Sequence, residues 1–271
     1  MNVAICFSGR YNKQEVNIDF IKKIKGFDNL DIFLHAWSNK TDDELLQILK
    51  PKKFLFETQK DFNKESLILM ESLAKSKDLY FSDYHNSSVP KWIWLPEKKK
   101  ISDRAFYGKE LNRDIKDGKE YIKNLSEFGF SILSQFYSRL YVNELKNFYE
   151  RQNNVNYDLI IRARLDTFIE HEIDLRTLDQ NKLYTVYSGD RNDPTDGSIW
   201  AINDLFAISN SEHMNSYCSL YFHIYQTLWD AYNNKKLNYL CAESLLLQHL
   251  TNQNIAIQTI KNNKVQLTRL F

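Results

Sequence analysis

The chain has 271 residues, 43% hydrophobic and 14% aromatic, enough to bury a sizeable core as one large α/β domain or one domain with an elaborated insertion. Its formal net charge of +1 supplies no global field to recruit nucleic acid or an anionic membrane. With seven glycines, four prolines and no apolar run of membrane-spanning length, the composition argues against a long disordered linker or a transmembrane helix.

Val3–Phe7 reads as a first strand that runs straight into the small-residue turn Ser8-Gly9-Arg10, a geometry that lets backbone approach a phosphate or a base. The spacing of Val16, Phe20 and Ile24 predicts a short helix over Gln14–Lys25, and Asp31–Trp37 reads as a second strand. Strand, helix and strand at this spacing make a parallel βαβ unit. His35, alternating with Leu34 and Ala36, is expected to be a packed core residue. Asp42–Leu49 is a short helix stopped by Pro51, and Lys53–Phe56 a third strand. Asp61–Lys75 follows as a helix that packs through Leu67, Met70, Leu73 and Ala74.

From about 78 to 124 the periodicity degrades. Aromatics including Trp92 and Trp94 interleave with Lys98–Lys100. Such a mixture can stack single-stranded bases, but the balanced charge of the chain speaks against nucleic acid. The segment is expected to be an insertion, helical or irregular, beside the mouth of the site. Ser131–Tyr149 is the clearest helix, with an aromatic and aliphatic stripe from Ile132 to Phe148.

The polar turn Gln152–Asn156 leads into Tyr157–Phe168, YDLIIRARLDTF, where the apolar run Leu159–Ile161 reads as a buried strand. Alternation along an extended strand sets Arg162, Arg164 and Asp166 on one side. At the C-terminal end of a central strand, where open α/β sheets bind ligands, they form an ion-pair cluster or a site for an anionic ligand. Leu183–Tyr187 is a further strand. The acidic loop Ser188–Ser198 lacks the spacing and closing glutamate of an EF-hand. After Asn203–Ile208, another strand, Ser209 and Glu212 suggest a capping box for a helix running through Met214 to Tyr232. A last helix, about Leu240–Leu250, carries Glu243 in its first turn, and Ile255–Thr259 ends the series as a strand.

Three cysteines, Cys6, Cys218 and Cys241, odd in number and without a CxxC pair, read as reduced, packed thiols. The six histidines show no zinc-ligand spacing. The N-terminus has neither the basic segment nor the apolar length of a signal peptide, so a cytoplasmic location is expected, with contact at the inner face of a membrane left open.

Phosphates need cations, backbone donors or a metal. Arg10, Arg162 and Arg164 supply cations, and Asp166 is a carboxylate able to hold Mg²⁺ or Mn²⁺ against a diphosphate. A second acid at a distance would take a proton from a hydroxyl nucleophile. This inventory fits transfer of a group from a nucleotide-diphosphate carrier. Alternatives are a nucleotidyl or phosphoryl transferase, and a non-catalytic sugar- or nucleotide-binding domain.

In order, VAICFSGRY, DIFLHAW, SQFYSRLYVNELKNFY, YDLIIRARLDTFI, INDLFAIS and CAESLLLQHL resemble bacterial and viral glycosyltransferases of the GT-A type, including the WavE-like lipopolysaccharide enzymes. The resemblance implies a single Rossmann-type α/β domain over residues 1–271, with a largely parallel central sheet flanked by helices. It implies a nucleotide-sugar donor and a glycan or lipid-linked acceptor, in polysaccharide biosynthesis. It sets Ser8, Gly9 and Arg10 by the nucleotide, with Arg162 and Arg164 toward the diphosphate. Asp166 becomes the counterpart of the last acid of a DxD element, the ligand of Mn²⁺ or Mg²⁺. Asp204 and Glu243 lie toward sugar and acceptor, either being the candidate base. Arg164 stands where that element has its first acid, so the chain reads RxD.

Overall fold

A computed structural model describes residues 1–11, 16, 18–74, 80–82, 92–94, 118–187, 202–233 and 239–267. In chain order the strands are β1 (Asn2–Arg10), β2 (Ile24–Lys25), β3 (Asn29–Trp37), β4 (Lys53–Glu57), β5 (Tyr80–Ser82), β6 (Trp92–Trp94), β7 (Leu159–Ala163), β8 (Thr167–Ile169), β9 (Ile173–Asp174), β10 (Leu183–Tyr187), β11 (Phe206–Ser209), β12 (Tyr239–Leu240) and β13 (Ile257–Leu267). The helices are α1 (Asp43–Leu49), α2 (Asn63–Ala74), α3 (Gly118–Asn153), α4 (Ser211–Cys218), α5 (Leu220–Asn233) and α6 (Ala242–Asn252).

Eight strands form the central sheet in the order β4-β3-β1-β7-β11-β10-β13-β8. The first four are mutually parallel, with Ile5 set against Ile32 on one side and Ile161 on the other. β11 then runs antiparallel to both β7 and β10, β10 and β13 are parallel, and β8 is antiparallel to β13. The expected α/β architecture is present, and Val3–Phe7 and Leu159–Ala163 are direct neighbours in it.

Alternation along the strands builds two cores. Val3, Ile5, Phe7, Leu34, Leu159, Ile161 and Ile208 face Phe20, Leu45 and Leu49. Ala4, Cys6, Phe33, Ile160 and Ala207 face α3 and the α4–α6 group through residues such as Phe136, Tyr217 and Leu246. Because strands buried on both faces have no polar side to show, β1 and β7 read as near-continuous apolar runs. A buried side chain of this size contributes roughly 1.5–3 kcal/mol.

Several boundaries differ from the sequence reading. In place of the helix expected over Gln14–Lys25 there is a 3-10 turn at Asp19–Lys23 followed by β2; residues 12–15 and 17 lie outside the described residues. No side chain caps that turn, while Phe20 and Ile24 are buried as expected. Ser209 does not cap α4. It ends β11 with its hydroxyl on the Lys182 carbonyl, and Asn210 accepts from the His213 amide at 2.8 Å instead. The helix expected from Met214 to Tyr232 is two helices, broken at Ser219. α3 runs back to Gly118, inside the expected insertion, and Tyr80–Ser82 and Trp92–Trp94 in that segment are strands, with β6 paired to β12. The acidic loop Ser188–Ser198 and the Lys98–Lys100 run lie outside the described residues.

Candidate functional site

The parallel half of the sheet directs the C-terminal ends of β1, β3, β4 and β7 to one edge, where open α/β sheets bind ligands. β1 ends there in Ser8-Gly9-Arg10. Gly9 has φ +131°, a conformation that side-chain-bearing residues rarely adopt, and Arg10 beyond it is exposed. A Cβ on Gly9 would stand 3.9 Å from Cγ of Arg164, so the β1 turn and the end of β7 are packed together.

β7 stops at Ala163, and the chain turns through Arg164–Thr167. The Arg164 amide donates to Thr167 Oγ1 at 3.0 Å, and the Thr167 amide to the Arg164 carbonyl at 3.2 Å. This turn ends the alternation on which the shared face of Arg162, Arg164 and Asp166 was predicted. Arg164 and Asp166 do meet. Nε donates to Oδ1 at 2.8 Å and Nη2 to Oδ2 at 2.6 Å, a bidentate pair with Arg164 21% and Asp166 7% exposed. Arg162, on the last strand turn, points into the core instead.

Arg162 is buried among Ser8 and Asp204. Its Nη2 donates to Ser8 Oγ at 2.9 Å, and its Nη1 to the Asp204 carbonyl. Asp204 is buried too. Arg139 Nη2 donates to its carbonyl at 2.7 Å and to its Oδ2 at 2.8 Å, and Gln135 Nε2 also reaches Oδ2. Two fully buried guanidinium groups therefore share one aspartate. Burial, and then the neighbouring Arg139, push Arg162 down to about 10. Arg139 Nε and Nη1 have no hydrogen-bond partner among the described residues. The guanidinium lies against the Phe136 and Tyr217 rings, at 4.7 and 5.5 Å from their centroids, which offsets part of its desolvation.

Arg139 and Gln135 were not singled out in the sequence, where α3 reads as an aromatic stripe. A second stripe of Gln135, Arg139, Asn143, Lys146 and Glu150 recurs at helical spacing inside it. Arg139, Asn143 and Lys146 are buried, and Lys146 donates to Glu150 at 2.8 Å and to Ser211 at 2.6 Å. Polar residues at helical period within an apolar helix were the available signal.

Glu243 is half-buried in the first turn of α6. Its carbonyl accepts from the Ile202 amide at 3.5 Å, tying α6 to the segment that delivers Asp204. Cys241 caps α6 in a reciprocal capping box with Ser244. β12, just before it, carries β6 of the insertion to this end of α6.

His35 is a core residue, as expected. Its Nδ1 meets Ser138 Oγ at 2.7 Å and its Nε2 meets Glu57 Oε1 at 3.0 Å; burial holds its pKa below the ordinary value. This resembles a serine–histidine–acid triad, but Ser138 is fully buried within α3 and is closed to any substrate. All three cysteines are free and buried, and burial pushes Cys218 up to about 11. Past the end of β1, Tyr11 bonds Asp42, the N-cap of α1, over a cavity of about 180 Å³ lined also by Ile18 and Ile48.

No family model matches the chain. No curated protein matches it either. Among solved structures, mouse xyloside xylosyltransferase 1 in its apo form is similar to this chain at a TM-score of 0.38 and 12% identity, covering 96% of this chain and 84% of that one. A likeness of that degree carries no inference about activity.

Proposed function

We propose that the protein is a glycosyltransferase that moves a sugar from a nucleotide-diphosphate donor to a glycan or lipid-linked hydroxyl, as the motif resemblance to GT-A and WavE-like enzymes implies. The observation that carries this reading is the packing of Gly9, the residue before exposed Arg10, against Arg164 of the Arg164–Asp166 pair, at the ligand-binding edge of the parallel strands. Exposed Arg10 and part-exposed Arg164 supply cations for a diphosphate, and Gly9 keeps the β1 turn slim enough for close approach. A guanidinium carries five N–H donors and Asp166 engages two of them, so Arg164 can hold Asp166 and a phosphate at once. Charge of this kind, fixed where the leaving diphosphate develops, lowers the barrier to breaking the sugar–phosphate bond.

Mn²⁺ or Mg²⁺ at Asp166 fits this arrangement less well. Both carboxylate oxygens engage Arg164, and among the described residues no group of three or more His, Cys, Asp or Glu side chains is placed to hold a metal ion. Neutralisation of the leaving group is therefore assigned to the arginines. Of the two candidate bases, Asp204 is held by Arg139 and Gln135 in the interior, so Glu243, half-buried in the first turn of α6, is the one proposed to take the proton.

Thermal shift against a panel of nucleotide sugars, with and without Mn²⁺, tests donor binding, since a ligand bound to the fold stabilises it by mass action. The true donor should raise the melting temperature and be turned over with release of nucleoside diphosphate. Pyrophosphate release would point to nucleotidyl transfer, and stabilisation without turnover to a binding module. Arg10→Ala should weaken donor binding and leave the fold intact; unaltered affinity would remove Arg10 from the site.

A further inference from the structure

β4 closes one end of the central sheet, pairing with β3 on one side and with no strand on the other among the described residues. An open edge is a template for another strand and is commonly blunted or covered. Phe54, at 47%, is exposed on this one, and Lys53 Nζ lies 5.2 Å from the ring centroid of Phe148 on α3, itself 51% exposed. The Lys52 amide donates to Ile32 of β3 at 2.8 Å. Alternation then turns the N–H and C=O groups of Lys53 and Leu55 away from β3.

The edge Lys53-Phe54-Leu55-Phe56-Glu57 is complementary to its own reverse. Laid antiparallel to a second copy about Leu55, Lys53 of each chain faces Glu57 of the other on one side of the sheet, the same Glu57 whose Oε1 meets His35 Nε2 at 3.0 Å within its own chain. Phe54 faces Phe56 on the opposite side, and Leu55 meets itself on the axis. Aromatic and opposite-charge cross-strand pairs are the stabilising units of a sheet. A parallel arrangement would set Lys53 on Lys53 and Glu57 on Glu57. We propose that β4 is the surface through which two copies of this chain form a two-fold dimer, continuing one sheet into the next. The residue pattern selects a second copy over an unrelated strand, because both charges and both aromatics find their complements in the same sequence. This inference does not depend on the catalytic reading.

Sedimentation velocity across about 1–200 µM protein should show a concentration-dependent dimer. Lys53→Glu puts like charges opposite each other twice per dimer and should raise its dissociation constant at least about tenfold, with circular dichroism unchanged. Leu55→Cys should cross-link to itself under mild oxidation, since directly opposed residues lie about 4.5–5.5 Å apart at Cα. Phe54→Cys, two positions out of register with its own copy, should cross-link far more slowly. Cys6, Cys218 and Cys241 are buried and give little background. A monomer throughout that range, a dimer indifferent to Lys53→Glu, or equal cross-linking at positions 54 and 55 would each overturn the proposal.

Discussion

Asp204 and Asp166 are both acids beside arginines, yet their surroundings assign them different work. Asp204 lies in the interior and holds Arg139 by its carboxylate, while its carbonyl takes both Arg139 and Arg162. Asp204→Asn would leave two buried guanidinium groups without their counter-charge. The expected loss is about 3–5 kcal/mol of stability, read from urea denaturation. An unmoved midpoint would mean that the cluster is not what holds α3 to the sheet. Asp166 sits at the edge and its partner Arg164 is part-exposed. Asp166→Asn should therefore cost stability between the roughly 1 kcal/mol of exposed pairs and the 3–5 kcal/mol of buried ones, and lower donor turnover because Arg164 loses the carboxylate that orients it toward the diphosphate. A variant that melts early but keeps full specific activity would make Asp166 structural. The sequence made Arg162, Arg164 and Asp166 conspicuous together because charge after an apolar run stands out. It could not show that the strand ends one residue after Arg162, since that depends on Thr167 closing a turn onto the Arg164 amide. Nor does Asp204 reveal its partner, which lies 65 positions away on α3.

At the scale of elements, those read most accurately have both a periodic core and a local stop signal. α1 is capped by Asp42, whose Oδ1 accepts from the Leu45 amide at 2.8 Å, and it ends at Lys50 in the left-handed region just before Pro51. Asp42 also bonds Tyr11, so one side chain fastens α1 to the chain leaving β1. Asp42→Ala should cost about 1 kcal/mol through the cap alone. Tyr11→Phe keeps the cap and tests the tether separately. If donor affinity falls with both changes, the α1 junction positions the β1 turn; if neither moves it, α1 is only packing. Errors fell where tertiary contacts override local pattern. The aromatic stripe on α3 was visible, but its length was not, because its first turns lie in a stretch without clear amphipathic period. Ser209 and Glu212 have the spacing of a capping box, but a buried Ser209 belongs to the sheet, and the cap moves one residue on to Asn210.

For the molecule as a whole, stability should depend on pH through groups that join helices to one another and to the sheet. His249 on α6 lies within 3.0 Å of the Ser216 carbonyl and 3.2 Å of the Ser219 hydroxyl at the α4–α5 break, and it stacks on His223 at 5.4 Å. Burial pushes its pKa from the ordinary value of 6.5 down to about 4. His35, between Ser138 of α3 and Glu57 of β4, is lowered for the same reason. The sign follows from linkage. Below about 6.5 the unfolded chain binds protons that the folded histidines refuse, so stability is present above that pH and is lost as pH falls toward 4. For His249 alone the shift sets an upper bound of about 3.5 kcal/mol, since one pH unit corresponds to about 1.4 kcal/mol. Exposed aspartates such as Asp19 and Asp174 are lowered by hydrogen bonds from Lys22 and Arg176, so what they add is lost only as pH falls through the ordinary carboxylate range and below it. Urea midpoints should therefore fall between pH 7 and pH 5, before the carboxylates titrate. His249→Gln, which retains a hydrogen-bond donor but does not titrate in this range, should flatten that fall. A midpoint constant across the window would mean that the buried histidines bind protons as readily in the fold as out of it, and that the α4–α6 contact is not the acid-sensitive joint.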